Sequence, residues 1–109
     1  MSLLDVPILV MCDDPPSGHA LVTRICQAGG DVVFAANSLE ALRQLRQFQF
    51  SAAVLGWQAG TDAVAAALRV QGVPFFMYGA PPAGAAVGVP ALLVVDPDLV
   101  VPTLATLLS

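Results

Sequence analysis

The chain has 109 residues, enough for one small domain with one core and too few for two. With 57% hydrophobic and only 11% charged residues it is not a disordered chain, and its apolar runs fall short of the roughly 18 to 20 residues of a membrane span. The net charge is -4, and the basic residues (Arg24, Arg43, Arg46, Arg69) are scattered, so no dense basic surface for nucleic acid is expected.

Pro7 to Met11 (PILVM) reads as a buried strand that ends in the acidic turn Cys12-Asp13-Asp14-Pro15-Pro16. From Ser17 to Ala28 the spacing of Ala20, Leu21, Ile25 and Cys26 predicts a helix capped by Ser17 and stopped by Gly29-Gly30. Asp31 to Ala35 is the next strand. Asn37 and Glu40 have the spacing of a capping box, and Leu39, Leu42 and Leu45 recur along one face of the helix that follows, with Arg43, Gln44, Arg46 and Gln47 on the other.

Ser51 to Leu55 predicts a third strand. The loop GWQAGT leads from it to a helix over about 62–70, with Thr61 as N-cap and Gly72 as stop. Pro74 to Tyr78 and Ala91 to Val95 predict two more strands, and the Pro- and Gly-rich stretch between them (APPAGAAVGVP) suits a full helix poorly. Asp96-Pro97-Asp98 starts a last segment with an N-cap, a proline at the first helical position and an acid. Pro102 within it predicts a short first turn and then a restart near Val101.

Helical segments alternating with wholly apolar strands are the pattern of a parallel sheet covered on both faces. Within that order, ILVMCDDPPSGHALVTRICQAGGDVVFAANSLEALRQLRQFQFSAAVL resembles the first half of a response-regulator receiver domain. The likeness continues through PFFMYG and VVDPDLV over nearly the whole chain, which resembles the shortened receivers attached to some bacterial sensor kinases and stress regulators, whose fourth helix is reduced. The fold it implies for residues 1–109 is a single α/β domain, a flavodoxin-like doubly wound five-stranded parallel sheet with the fourth helix reduced or absent.

In such receivers an Asp ending the third strand accepts a phosphoryl group and two acids after the first strand hold Mg²⁺, while a Thr or Ser and a Lys contact the phosphoryl oxygens. Mg²⁺ demands hard oxygen ligands, and a transferring phosphoryl needs cationic neutralisation. On that pattern Gly56 stands at the acceptor position, Gly79 at the Thr/Ser position and Leu93 at the Lys position, and the chain contains no Lys at all. Cys12 and Asp13, followed by Asp14, are what remains of the acidic pocket, and no metal or cofactor is expected.

Trp57 follows the vacated acceptor and is a candidate to fill its pocket. Asp62 reads as a helix-start acid rather than a substitute acceptor, and His19 as a surface or packed residue. There is no G-x-G-x-x-G, G-x-S-x-G or Walker motif. The N-terminus, MSLLDVPILV, has no Lys or Arg ahead of its apolar stretch, so it does not read as a signal peptide. A cytoplasmic placement is expected, with Cys12 and Cys26 as reduced thiols.

The resemblance and the missing groups together imply a non-enzymatic, phosphorylation-independent module of two-component signalling that binds protein. The last helix lacks a polar face, so Leu99, Val100, Leu104, Leu107 and Leu108 are the expected contact surface for a second copy, a sensor kinase or a regulator. On this reading Leu104→Glu weakens association and leaves the fold largely intact. The alternative is a flavodoxin-like small-ligand binder using the strand ends near Cys12-Asp13 and Gly56-Trp57-Gln58.

Overall fold

Short apolar runs without alternation can be satisfied only where both faces of a sheet are covered, and that is where this chain puts them. A computed structural model describes residues 5–58, 60–79, 92–94 and 96–108, the segment 92–94 by its backbone. The elements are β1 (Pro7–Met11), α1 (Pro15–Gln27), β2 (Asp31–Ala35), α2 (Ser38–Gln47), β3 (Ala52–Gly56), α3 (Thr61–Gln71), β4 (Phe75–Tyr78), β5 (Leu92–Val94), a 3₁₀ turn (Pro97–Leu99) and α4 (Val100–Leu108). All pairings are parallel and the order is β2-β1-β3-β4-β5. The order reverses between β1 and β3, the point at which open α/β sheets form a crevice at their carboxyl ends.

Successive strand residues point to opposite faces and build two cores. On one face Leu9, Met11, Ala53, Leu55 and Met77 pack with Ala41 and Leu45 of α2 and Val64, Ala65 and Leu68 of α3. On the other, Ile8, Val10, Ala52, Val54 and Phe76 pack with Leu21 and Ile25 of α1 and Val100 and Leu104 of α4. The central strand β3 is buried along its whole length. The expected fourth-helix reduction falls in residues 80–91, outside the described residues. Among the described residues no helix is long and apolar enough to cross a membrane.

The helix starts follow local chemistry. The Asn37 side chain accepts from the Glu40 backbone N–H at 2.8 Å, and the Glu40 carboxylate reaches back to the Ala36 N–H. Asn37→Ala is expected to cost about 0.5–2 kcal/mol in a urea titration, because one exposed cap bond is lost and no packing changes. Helix α1 begins earlier than the sequence predicts. Its N-cap is Asp14, because Pro15 and Pro16 sit in the first turn, where no N–H is needed, and Ser17 donates to the Asp14 carboxylate from inside the helix. Helix α3 is preceded by Gly60 rather than capped by Thr61.

Pro102 does not break the last helix, because the chain has restarted before it. The Asp96 side chain caps the 3₁₀ turn through the Asp98 N–H at 2.9 Å, α4 begins at Val100, and Pro102 falls in its first turn. The contact surface expected on this helix is corrected by its packing. Val100 and Leu104 are fully buried within the protomer's own core, and Leu107 and Leu108 are partly buried against it. Only Leu99 of the five stands out, 52% exposed. A helix apolar nearly all round is here buried largely by its own domain, a use that composition alone does not separate from an interface.

Candidate functional site

The carboxyl ends of β1, β3 and β4 bring Cys12, Gly56 and Gly79 to one end of the sheet. Gly56 pairs with Tyr78 in the last row of the β3–β4 ladder, and Gly79 and Trp57 are the first residues past that row. Gly56 is buried, and a Cβ placed there would lie 3.2 Å from the Met11 carbonyl oxygen, 3.4 Å from Cys12 Cα and 3.6 Å from Cys12 Sγ. A side chain would therefore be in tight contact with the neighbouring backbone, an approach that glycine allows freely.

Cys12 is 5% exposed, and its thiol donates weakly to the Asp14 carbonyl oxygen, 3.5 Å away. Burial pushes this thiol above the ordinary range, against the backbone hydrogen bond to Asp14, and the Asp14 and Asp13 carboxylates add to the rise. Asp13 and Asp14 are both exposed, and Asp14 serves as the start of α1. The donors that a Mg²⁺ ion needs are not assembled. A protonated buried thiol, one solvated carboxylate and a glycine offer no octahedral oxygen set. Among the described residues no three of His, Cys, Asp and Glu are gathered for a metal.

Leu93, described by its backbone, pairs with Met77, one row before the Gly56–Tyr78–Val94 row. The first described side chain beyond β5 is Asp96, an acid. It lies near enough to Tyr78 to act on its phenol, whose pKa burial raises, with Arg24 opposing and Asp96 and Cys12 reinforcing. Arg24 itself is paired with Asp98 at 3.2 Å, joining α1 to the 3₁₀ turn.

The raised thiol and phenol give a signed expectation. Both groups hold their protons more tightly folded than unfolded, so their contribution is fully present below the unfolded pKa values and is lost as pH rises through the folded ones. The urea midpoint should therefore fall from about pH 8.5 upward, where an unfolded thiol begins to ionise. An equal or higher midpoint at pH 10 than at pH 7 would contradict the burial of these groups.

Two residues do more than the sequence indicates. Thr61 is 4% exposed. Its Oγ1 accepts from the Gln58 N–H at 3.0 Å, and its hydroxyl proton has the Gln58 and Gly56 carbonyl oxygens within reach at 2.9 and 3.0 Å. It thus ties the β3–α3 loop to itself. Trp57, half-buried, donates its indole Nε1–H to the Gly79 carbonyl oxygen at 2.9 Å, crossing from β3 to β4. A Thr that follows a Gly at a predicted helix start could have been read as a loop clamp as well as a cap, whereas nothing in the sequence announces the Trp57 partner. The amide Nε2 of Gln58 is buried and has no hydrogen-bond partner.

Beside Cys12, on the β2 side of β1, lies a pocket of about 350 Å³ lined by Cys12, Asp13, Pro15, Gly18, His19, Val22, Phe34 and Ala36. Gly56, Trp57 and Gln58 do not line it, so this pocket takes in only the Cys12-Asp13 half of the expected ligand site. His19 and Asp62 are both exposed, His19 on the pocket rim and Asp62 in the first turn of α3.

Strand order, two-faced core and strand-end site can now be compared with known structures. The receiver domain of a Francisella response regulator superposes with a TM-score of 0.77 at 18% identity, covering 95% of this chain and 97% of that one. The chain has the receiver fold. The chemotaxis response regulator CheY4 of Vibrio cholerae matches with a TM-score of 0.77 at 22% identity, over 94% of this chain and 98% of that one. The response regulator TrrA of Thermotoga maritima, solved in complex with Mg²⁺-BeF, matches with a TM-score of 0.80 at 17% identity, over 94% and 98% of the two chains. No protein-family model and no curated protein sequence matches the chain. At these identities the receiver likeness is one of fold, and the site must be read from its own residues.

Proposed function

We propose that this domain is a phosphorylation-independent, receiver-like interaction module of two-component signalling, acting in the cytoplasm on a second copy, a sensor kinase or a regulator rather than as an enzyme. The observation that carries the reading is Gly56. The strand-end position that matches a receiver's acceptor has no side chain, and a Cβ there would be in tight contact with the Met11 carbonyl oxygen at 3.2 Å. The absence of any Lys and the poor donor set for Mg²⁺ support it further. A receiver fold that keeps its scaffold without the phosphoryl site retains its surfaces as a means of function.

The test is a titration of the ¹⁵N-labelled protein with Mg²⁺ and beryllofluoride, a phosphoryl mimic. No shift is expected at Gly56 to Thr61 or at Tyr78 and Gly79, and a saturable set of shifts there overturns the reading. Self-association is tested by light scattering of the wild type and of Leu99→Glu, which changes the exposed residue of the last helical segment and spares the core. A dimer that the substitution weakens supports a second copy as partner, and a monomer at all concentrations removes it. The pocket beside Cys12 favours the ligand-binding reading, which requires a metabolite that raises the melting temperature.

A further inference from the structure

In a phosphorylated receiver of the kind this chain resembles, the ends of the third and fourth strands are joined through the phosphoryl group. Here both partner positions are glycines, Gly56 and Gly79, and the strand ends are nevertheless joined. The indole of Trp57, the residue directly after Gly56, reaches the main chain of Gly79 with a 2.9 Å hydrogen bond.

The two ends of this link are prepared for it. Gly79 has φ of +96°, in the left-handed region, and its conformation helps set the direction of the carbonyl that receives the indole N–H. The indole Cδ1 lies 4.0 Å from where a Gly79 Cβ would be, so a side chain at this position would meet the ring. On the other side, both neighbours of Trp57 are held by one buried hydroxyl, since Thr61 Oγ1 is within hydrogen-bonding distance of the Gly56 and Gln58 carbonyl oxygens and of the Gln58 N–H. An indole on a tethered loop has few rotamers to lose, so forming the bond costs little ordering entropy.

We infer that Trp57 is a built-in latch that replaces the phosphoryl link, holding the β3–α3 loop against the end of β4 in one arrangement whatever the signalling state. This rests on the reading of the domain as a phosphorylation-independent module, and it adds what keeps such a module in a single state. The surface formed by Trp57, Gln58 and the end of β4 is then constitutive, and a partner that recognises it meets it already ordered.

Trp57 is the sole tryptophan, so the protein has one indole N–H resonance and the latch can be observed directly. Its hydrogen exchange is measured with and without Mg²⁺ and beryllofluoride, and backbone exchange is compared between the wild type and Trp57→Phe, which keeps a ring and removes the donor. The expected result is an indole proton protected about ten-fold or more over free indole. In Trp57→Phe, exchange should quicken about five- to ten-fold at residues 56–61 and 79, as loss of one hydrogen bond implies, with β1 unchanged. An indole proton exchanging at the free rate overturns the latch even if Trp57→Phe does not fold, and so does a folded Trp57→Phe with unchanged exchange at those residues. The two readings fail separately: beryllofluoride shifts at Gly56 to Thr61 with a protected indole defeat phosphorylation independence and leave the link standing, whereas free indole exchange with no such shifts defeats the latch alone.

Discussion

Leu104→Ala is expected to lower unfolding stability by about 2–5 kcal/mol, the range for truncating a fully buried leucine whose cavity the surroundings cannot close. Leu104 has no exposed surface and belongs to the core formed by Ile8, Val10, Leu21, Ile25, Ala52, Val54, Phe76 and Val100, which joins β1, β3, β4, α1 and α4. For a domain whose total stability is on the order of 5–15 kcal/mol, that loss is a large fraction. Leu104→Glu should be worse, placing an unpaired carboxylate in the same space, and should populate unfolded protein rather than a well-folded monomer. Leu99→Ser, at a 52% exposed site one turn earlier, should change stability by only about 0.5 kcal/mol. Urea midpoints of the three variants decide the matter. A Leu104→Glu protein as stable as the wild type would return Leu104 to the surface.

That prediction reverses the expectation drawn from sequence, and the reversal marks where sequence reasoning ends. Apolar runs separated by Gly, Pro and Asp were sufficient to place β1 to β4 and the helices between them, because a run without alternation has one stable location, the middle of a covered sheet. The Asn37 and Glu40 cap and the restart ahead of Pro102 were also legible, since each depends on bonds within a few residues. The fate of the last helix was not. A nearly all-apolar helix says that something covers it, and only the packing of Val100 and Leu104 on α1 and the sheet says that much of the cover is internal. The site was half legible in the same way. Gly56 and Gly79 are matched to the receiver pattern by position, whereas the Trp57 bond to the Gly79 carbonyl spans 22 residues and depends on the β3–β4 register. Thr61 was misread because a hydroxyl at a helix start usually caps it, and here the same hydroxyl turns back to the strand end.

Gly56→Asp is expected to place a carboxylate at the acceptor position that the receiver resemblance implies without conferring phosphorylation, and to destabilise the fold. Crowding comes first. The new Cβ would sit 3.2 Å from the Met11 carbonyl oxygen, a main-chain atom that cannot turn aside as a flexible side chain would, and overpacking of this kind costs about 1–3 kcal/mol. Gly56→Ala isolates that cost. The aspartate adds a charge at a buried strand end that has no lysine and no assembled metal ligands, with the Asp13 and Asp14 carboxylates on the neighbouring turn. Desolvation and like charge both oppose its ionisation, so the introduced carboxyl is held above its unfolded pKa and its penalty grows as pH rises. The stability gap between Gly56→Asp and Gly56→Ala should therefore be wider at pH 7 than at pH 4. Incubation with acetyl phosphate and Mg²⁺ should leave the intact mass unchanged, because a nucleophile without a metal to neutralise the transferring group lacks most of what accelerates phosphoryl transfer. A phosphorylated Gly56→Asp protein would mean that the strand ends rearrange to admit both carboxylate and metal, and that the site lacks nothing but its acceptor.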